Sequence, residues 1–145
     1  MILFGGKTMS KEMHKLIDER NEFSATVHTK PDTLDFVFEK YCAETIEMAK
    51  SIHYIDGIFA ARIIMITREI YFGQYEKSYG HLQDLIKEYR LEDVNEINQM
   101  KYYGILVLYY AEYKDELGKA VLYSQKEMEL AEELDNQKEV MELML

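Results

Sequence analysis

The side chains in this chain best suited to chemistry are four histidines, one cysteine and a surplus of carboxylates. His14, His28, His53 and His81 include no pair four residues apart, the spacing that sets two imidazoles on one helix face to grip a metal. His81, Asp84 and Glu88 do share a helix face, as His14 does with Asp18, but such faces are most often solvated. No metal and no other cofactor is therefore expected. Cys42 lies among apolar residues with no histidine close in sequence, which reads as an inert buried thiol and not a nucleophile. The chain has no phosphate-cradling P-loop, no dinucleotide fingerprint and no nucleophile elbow; Gly5-Gly6 is an isolated pair near one end. No catalytic residue stands out, and the expectation is a protein that is not an enzyme.

Composition narrows the partners. The chain has 145 residues, so a single domain is the default, and it is 48% hydrophobic and 30% charged, as globular chains are. Seventeen Lys and Arg face 27 Asp and Glu, a formal charge of −10 with no basic patch. Nucleic acid and anionic membrane are thus poor partners. One cysteine allows no internal disulfide, and there is neither a signal-peptide core nor an apolar run of membrane-spanning length. A cytoplasmic location is expected.

With one proline and seven glycines, the chain has little punctuation. That favours long helices over many short strands. Ser10 can cap a short helix over about 11–20, and the polar stretch 21–30 reads as loop. Lys30-Pro31-Asp32-Thr33 is a start signal, with Asp32 as the cap and Asp35 in the positive first turn of a helix running to about His53. Further helices are expected over about 57–72, 75–91, 96–113 and 116–134. Asp135-Asn136 then breaks the chain before a last apolar stretch. Leu82, Leu85, Ile86 and Tyr89 make a clear helical stripe. Helices on short loops pack as antiparallel neighbours.

The layout repeats. Setting Ser78 on Ala120 aligns Tyr75-Glu76-Lys77-Ser78 with Leu117-Gly118-Lys119-Ala120 at an offset of 42. The segments 47–65 and 129–145 share an acidic-apolar-Ala helix end, an Asp-containing turn and a new apolar stretch. Phe72-Gly73-Gln74-Tyr75-Glu76-Lys77-Ser78 resembles the inter-helix turn of the tetratricopeptide repeat family. Ser124 to Asp135, SQKEMELAEELD, resembles its second helix and exit. Gly73 permits a tight turn, small Ser78 and Ala120 permit close helix approach, and Tyr75 and Tyr123 fill the space between. The spacing exceeds the usual 34, and Lys114-Asp115-Glu116-Leu117 stands where the glycine turn is expected.

The resemblance implies an all-α fold, antiparallel hairpins stacked as an α-solenoid over residues 31–145, incomplete at its C-terminal end, after an extension over 1–30. It also implies a ligand face on the first helix of each pair. Here that face would be Ile63, Thr67 and Ile70, then Tyr103, Val107 and Tyr110, an apolar or aromatic groove; the same residues serve equally well as core. The function implied is a non-catalytic scaffold for a protein or peptide, the sensory or regulatory region of a larger bacterial signalling protein. The alternatives are a regulatory piece of an enzyme, such as a diguanylate cyclase or histidine kinase with its output domain after Leu145, and a self-associating helical protein. Ten acidic and four basic residues from Glu112 onward suit a solvated face or a basic partner. The homodimer reading uses Val140, Leu143 and Leu145. Replacing Leu143 and Leu145 with Glu is then expected to yield monomers in sedimentation, and an unchanged dimer would sink that version.

Overall fold

A computed structural model describes the backbone of residues 6–144 and, within it, the side chains of all but residues 6–8 and 140. The described chain is all helical. Helices α1 (Gly6–Val27), α2 (Asp35–Ser51), α3 (Ile55–Tyr71) and α4 (Tyr75–Glu88) form one unit, ending at Tyr89. A 3₁₀ turn (Leu91–Asp93), α5 (Glu96–Leu108), a π-helical turn (Tyr109–Tyr113) and α6 (Leu117–Met144) form a second.

In the first unit α1 packs on α2 and α3, α2 packs on α3, and α3 packs on α4. Ile17, Ala49 and Ile58 form one core cluster, flanked by Ile46, Ile52 and Tyr54. Phe38, Cys42 and Ile64 form another, flanked by Val27 and Met65. Burial of each large apolar side chain contributes about 2 kcal/mol. Burial also pushes the Cys42 thiol above its ordinary pKa, which keeps it protonated and unreactive.

Helix α1 is longer than the expected 11–20 segment, because its second half is held by polar contacts that hydropathy does not reveal. Arg20 donates from Nε to Thr45 Oγ1 (2.8 Å) and from Nη2 to the Tyr41 carbonyl (3.0 Å). Asn21 donates to the Gly57 carbonyl (3.1 Å), and Ser24 is fully buried. Asp18 accepts from the Tyr54 hydroxyl (2.7 Å), while the His14 ring stacks on Tyr54. Helix α2 begins at Asp35, not at an Asp32 cap; Leu34 holds the cap position with no side-chain bond. The reason is that Thr33 N–H closes a turn onto the Lys30 carbonyl (3.2 Å), so helical geometry starts only beyond it.

Three inter-helix turns use one device, a single residue in the left-handed region: His53 (φ 55°), Gly73 (φ 82°) and Asp115 (φ 53°). After the first two, the next N–H reaches back five residues, Tyr54 to the Ala49 carbonyl and Gln74 to the Glu69 carbonyl. Asp115 stands 42 residues after Gly73 and does the work of the glycine missing from the second turn. Ser78 and Ala120 are both buried, as close helix approach requires.

Helix starts recur at similar intervals: Asp35, Tyr75 and Leu117 begin α2, α4 and α6, and Ile55 and Glu96 begin α3 and α5. Asp135-Asn136 does not break α6. Both residues are exposed, where their weak helix propensity costs little, and Gln137 reaches the Glu96 carboxylate at the start of α5 (3.3 Å). The last apolar stretch is therefore the end of α6 and not a new helix. Leu143 there is 88% exposed, whereas the Val140 side chain and Leu145 lie outside the described residues.

Gly57 marks the tightest crossing in the first unit. A Cβ there would stand 2.7 Å from Tyr54 Cδ2 and 2.8 Å from Ile17 Cγ2. Gly57→Ala should therefore destabilise the fold by about 1–3 kcal/mol in urea unfolding, although alanine is the better helix former.

Candidate functional site

Two hollows open on one side of α3. The larger, about 580 Å³, is lined by Phe38, Met65 and Phe72 below and by Asp35, Glu39, Lys77 and His81 along its edges. The smaller, about 290 Å³, is lined by Ile46 and Ile66 with Lys50, Arg62 and Glu88. Met65 and His81 line both, so the two hollows adjoin. Because α3 packs on both α2 and α4, it forms the floor of a groove with those helices as its walls.

The charges of the groove are set crosswise. In the larger hollow α2 supplies Asp35 and Glu39, and α4 supplies Lys77 and His81. In the smaller the order reverses, with Lys50 from α2 and Glu88 from α4. Glu69, on α3, is the most sheltered carboxylate at 13% exposure; it pairs with His81 Nδ1 (2.8 Å) and Lys77 Nζ (3.7 Å). Arg62 hydrogen-bonds Glu88 (2.5 Å) and thereby lowers the pKa of that carboxyl. The lining of the larger hollow has no hydroxyl or thiol to act as a nucleophile. What the arrangement offers is recognition: apolar Met65 and Ile66 beside charged Arg62, Arg68 and Glu69 along α3, between two lips of mixed sign.

One buried cation holds the mouth of the larger hollow in shape. Arg68 is only 6% exposed, and every face of its guanidinium is occupied. Nη1 donates to the carbonyls of Val27 (3.4 Å), His28 (3.2 Å) and Lys30 (3.4 Å), and Nη2 to that of Thr33 (2.7 Å). Nη2 and Nε also reach Asp35 Oδ1, at 2.9 and 3.3 Å. The rings of Phe38 and Phe72 each lie 4.8 Å from its central carbon. Arg68 thus fastens the α1–α2 connection onto α3, and Pro31 within that connection lines the hollow.

The positions expected to line a ligand face lie elsewhere. Ile63, Thr67 and Ile70 fall on the side of α3 turned away from Met65 and Glu69, with Ile66 between the two sets. Ile63 and Ile70 are buried, and the Thr67 hydroxyl donates to the Ile63 carbonyl (2.7 Å). In the second unit Tyr103 and Tyr110 stack on Tyr123 from α6, at centroid distances of 6.1 and 5.7 Å, and Val107 is half-buried. Of their two readings, Ile63, Ile70 and Tyr110 have the exposure of core. His81 and Glu88 both line the groove, but Glu88 is taken by Arg62 and His81 by Glu69. Among the described residues, no group of three or more His, Cys, Asp or Glu is placed to hold a metal ion. Nor is any described helix long and apolar enough to cross a membrane.

Sequence reasoning missed the groove because its walls are polar. The available signal was Arg62, Arg68 and Glu69 inside a mostly apolar helix, since charges there need partners.

No protein-family model, curated protein or solved structure matches the chain.

The carbonyl cluster around Arg68 predicts an unequal response to substitution. Arg68→Met should cost about 3 kcal/mol, because four carbonyls lose a donor together, although those of Val27 and Lys30 keep a backbone N–H. Arg68→Lys should recover less than half of that, since an ammonium cannot span the same set. Asp35→Asn should cost under about 1 kcal/mol, because the Asp35 side chain is 75% exposed. Urea unfolding of the three variants checks the order.

Proposed function

We propose that the chain is a non-catalytic, tetratricopeptide-like interaction scaffold that takes a peptide or protein segment into the groove floored by α3. The observation that carries this reading is that the two hollows adjoin at Met65 and His81 along α3. The apolar side chains of the lining provide affinity, and its charged side chains provide register. The solenoid part of the reading is supported by helix starts 40 to 42 residues apart and by equivalent turns at Gly73 and Asp115. Repeats of this kind bind along extended grooves instead of in closed pockets. A role as the sensory or regulatory region of a bacterial signalling protein follows from the same family resemblance.

The groove makes its own test. Random twelve-residue peptides are displayed and selected on the wild-type chain and on Met65→Lys, with circular dichroism confirming that the variant folds. Peptides enriched on the wild type should bind Met65→Lys at least tenfold more weakly. Lys77→Glu should shift the charge preference of the selected pool. Selection of the same peptides with equal affinity by both chains would overturn the assignment, as would no enrichment at all.

A further inference from the structure

The second unit has a separate surface whose composition changes along its length. Helix α6 turns one side to α5: Ala120 is buried, and Tyr123, Glu127, Leu130, Ala131 and Leu134 are half-buried. Away from that side, Leu117, Val121, Met128, Glu132, Asp135 and Glu139 fall within about 60° of one another at 100° per residue. All six are exposed, the first three at 64, 56 and 58%. One stripe on a single straight helix is thus apolar over its first half and carboxylate over its second. It runs for about 33 Å, since 22 residue steps rise about 1.5 Å each.

That order restricts what can lie on it. A second copy aligned parallel would set carboxylate against carboxylate. A second copy aligned antiparallel over the full stripe would set each apolar half against an acidic half, and one shifted to pair the apolar halves would leave the carboxylates unmatched. Neither buries the apolar half against an apolar surface with the charges matched. The complement is a helix with an apolar half and a basic half on one face. The charge of the unit points the same way: from Arg90 onward the chain has six basic and thirteen acidic residues. Methionine within such a stripe adapts to varied apolar side chains.

We propose that the outer stripe of α6 docks a partner helix graded from apolar to basic. Segregation of the two halves, and not charge alone, sets the specificity. The surface is independent of the groove on α3.

The probe is a synthetic alanine-based helix of 24 residues, with leucines on one half of a stripe and lysines on the other. One control has the same composition with Leu and Lys interleaved along the whole stripe, and the second has Glu in place of Lys. Fluorescence anisotropy on the full chain should show the segregated helix binding at least tenfold more tightly than either control. Higher salt should weaken it. Met128→Glu and the pair Asp135→Lys and Glu139→Lys, all at exposed positions, should each cost at least tenfold in affinity. Met65→Lys, a change within the first unit, should leave binding unchanged once circular dichroism confirms that the variant folds. Equal binding of the interleaved helix would overturn the proposal by reducing the surface to a diffuse acidic field. A wild-type dimer dissolved by Met128→Glu, with no binding of the segregated helix, would overturn it in favour of self-association.

Discussion

The guanidinium of Arg68 is the constraint on which the first unit depends. A buried cation is tolerable only when its donors are met, and here four carbonyls and a carboxylate meet them while two phenyl rings cover its faces. The carbonyls belong to the segment between α1 and α2, which has few apolar side chains to anchor it. One side chain of α3 thereby fixes the path of a polar loop, the entry of α2 and the rim of the larger hollow. The interaction with Asp35 is the visible ion pair, but the exposed carboxylate is well screened, and the carbonyls supply most of the cohesion.

Polar contacts do similar work at the other end of that interface. Asn21 on the Gly57 carbonyl and the Tyr54 hydroxyl on Asp18 join α1 to the start of α3, where a glycine lets the helices close up. The apolar clusters provide much of the stabilisation, and these directional bonds choose the register in which they form.

This division explains what could be read in the sequence. Apolar periodicity located α3, α4 and α5 to within a few residues, because their stripes are strong and their turns carry glycine or charged breaks. The second half of α1 reads as loop in the sequence because the residues that bury there are Asn21 and Ser24, whose partners lie on other helices. Asp135-Asn136 reads as a break on propensity alone, yet exposure and a contact to α5 outweigh propensity at that point. The left-handed conformation of Asp115 was also hidden, since aspartate reaches it only when the flanking helices require it. The groove was the least legible feature: it arises where three helices leave space between them, and no short stretch of sequence encodes that space. Arg62, Arg68 and Glu69, charges in a mostly apolar helix, are its local trace.

The π-helical turn at Tyr109–Tyr113 bears on how these hairpins could have diverged in length. From Ile55 to Tyr71 the chain spends seventeen residues, and from Glu96 to Tyr113 it spends eighteen. Both stretches lead through a left-handed residue into the next helix. The extra residue is taken up as a local widening, in which Lys114 N–H reaches the Tyr109 carbonyl and Glu116 N–H the Tyr110 carbonyl. The longer stretch is thus accommodated within one widened turn, and both stretches still lead through a left-handed residue into the next helix.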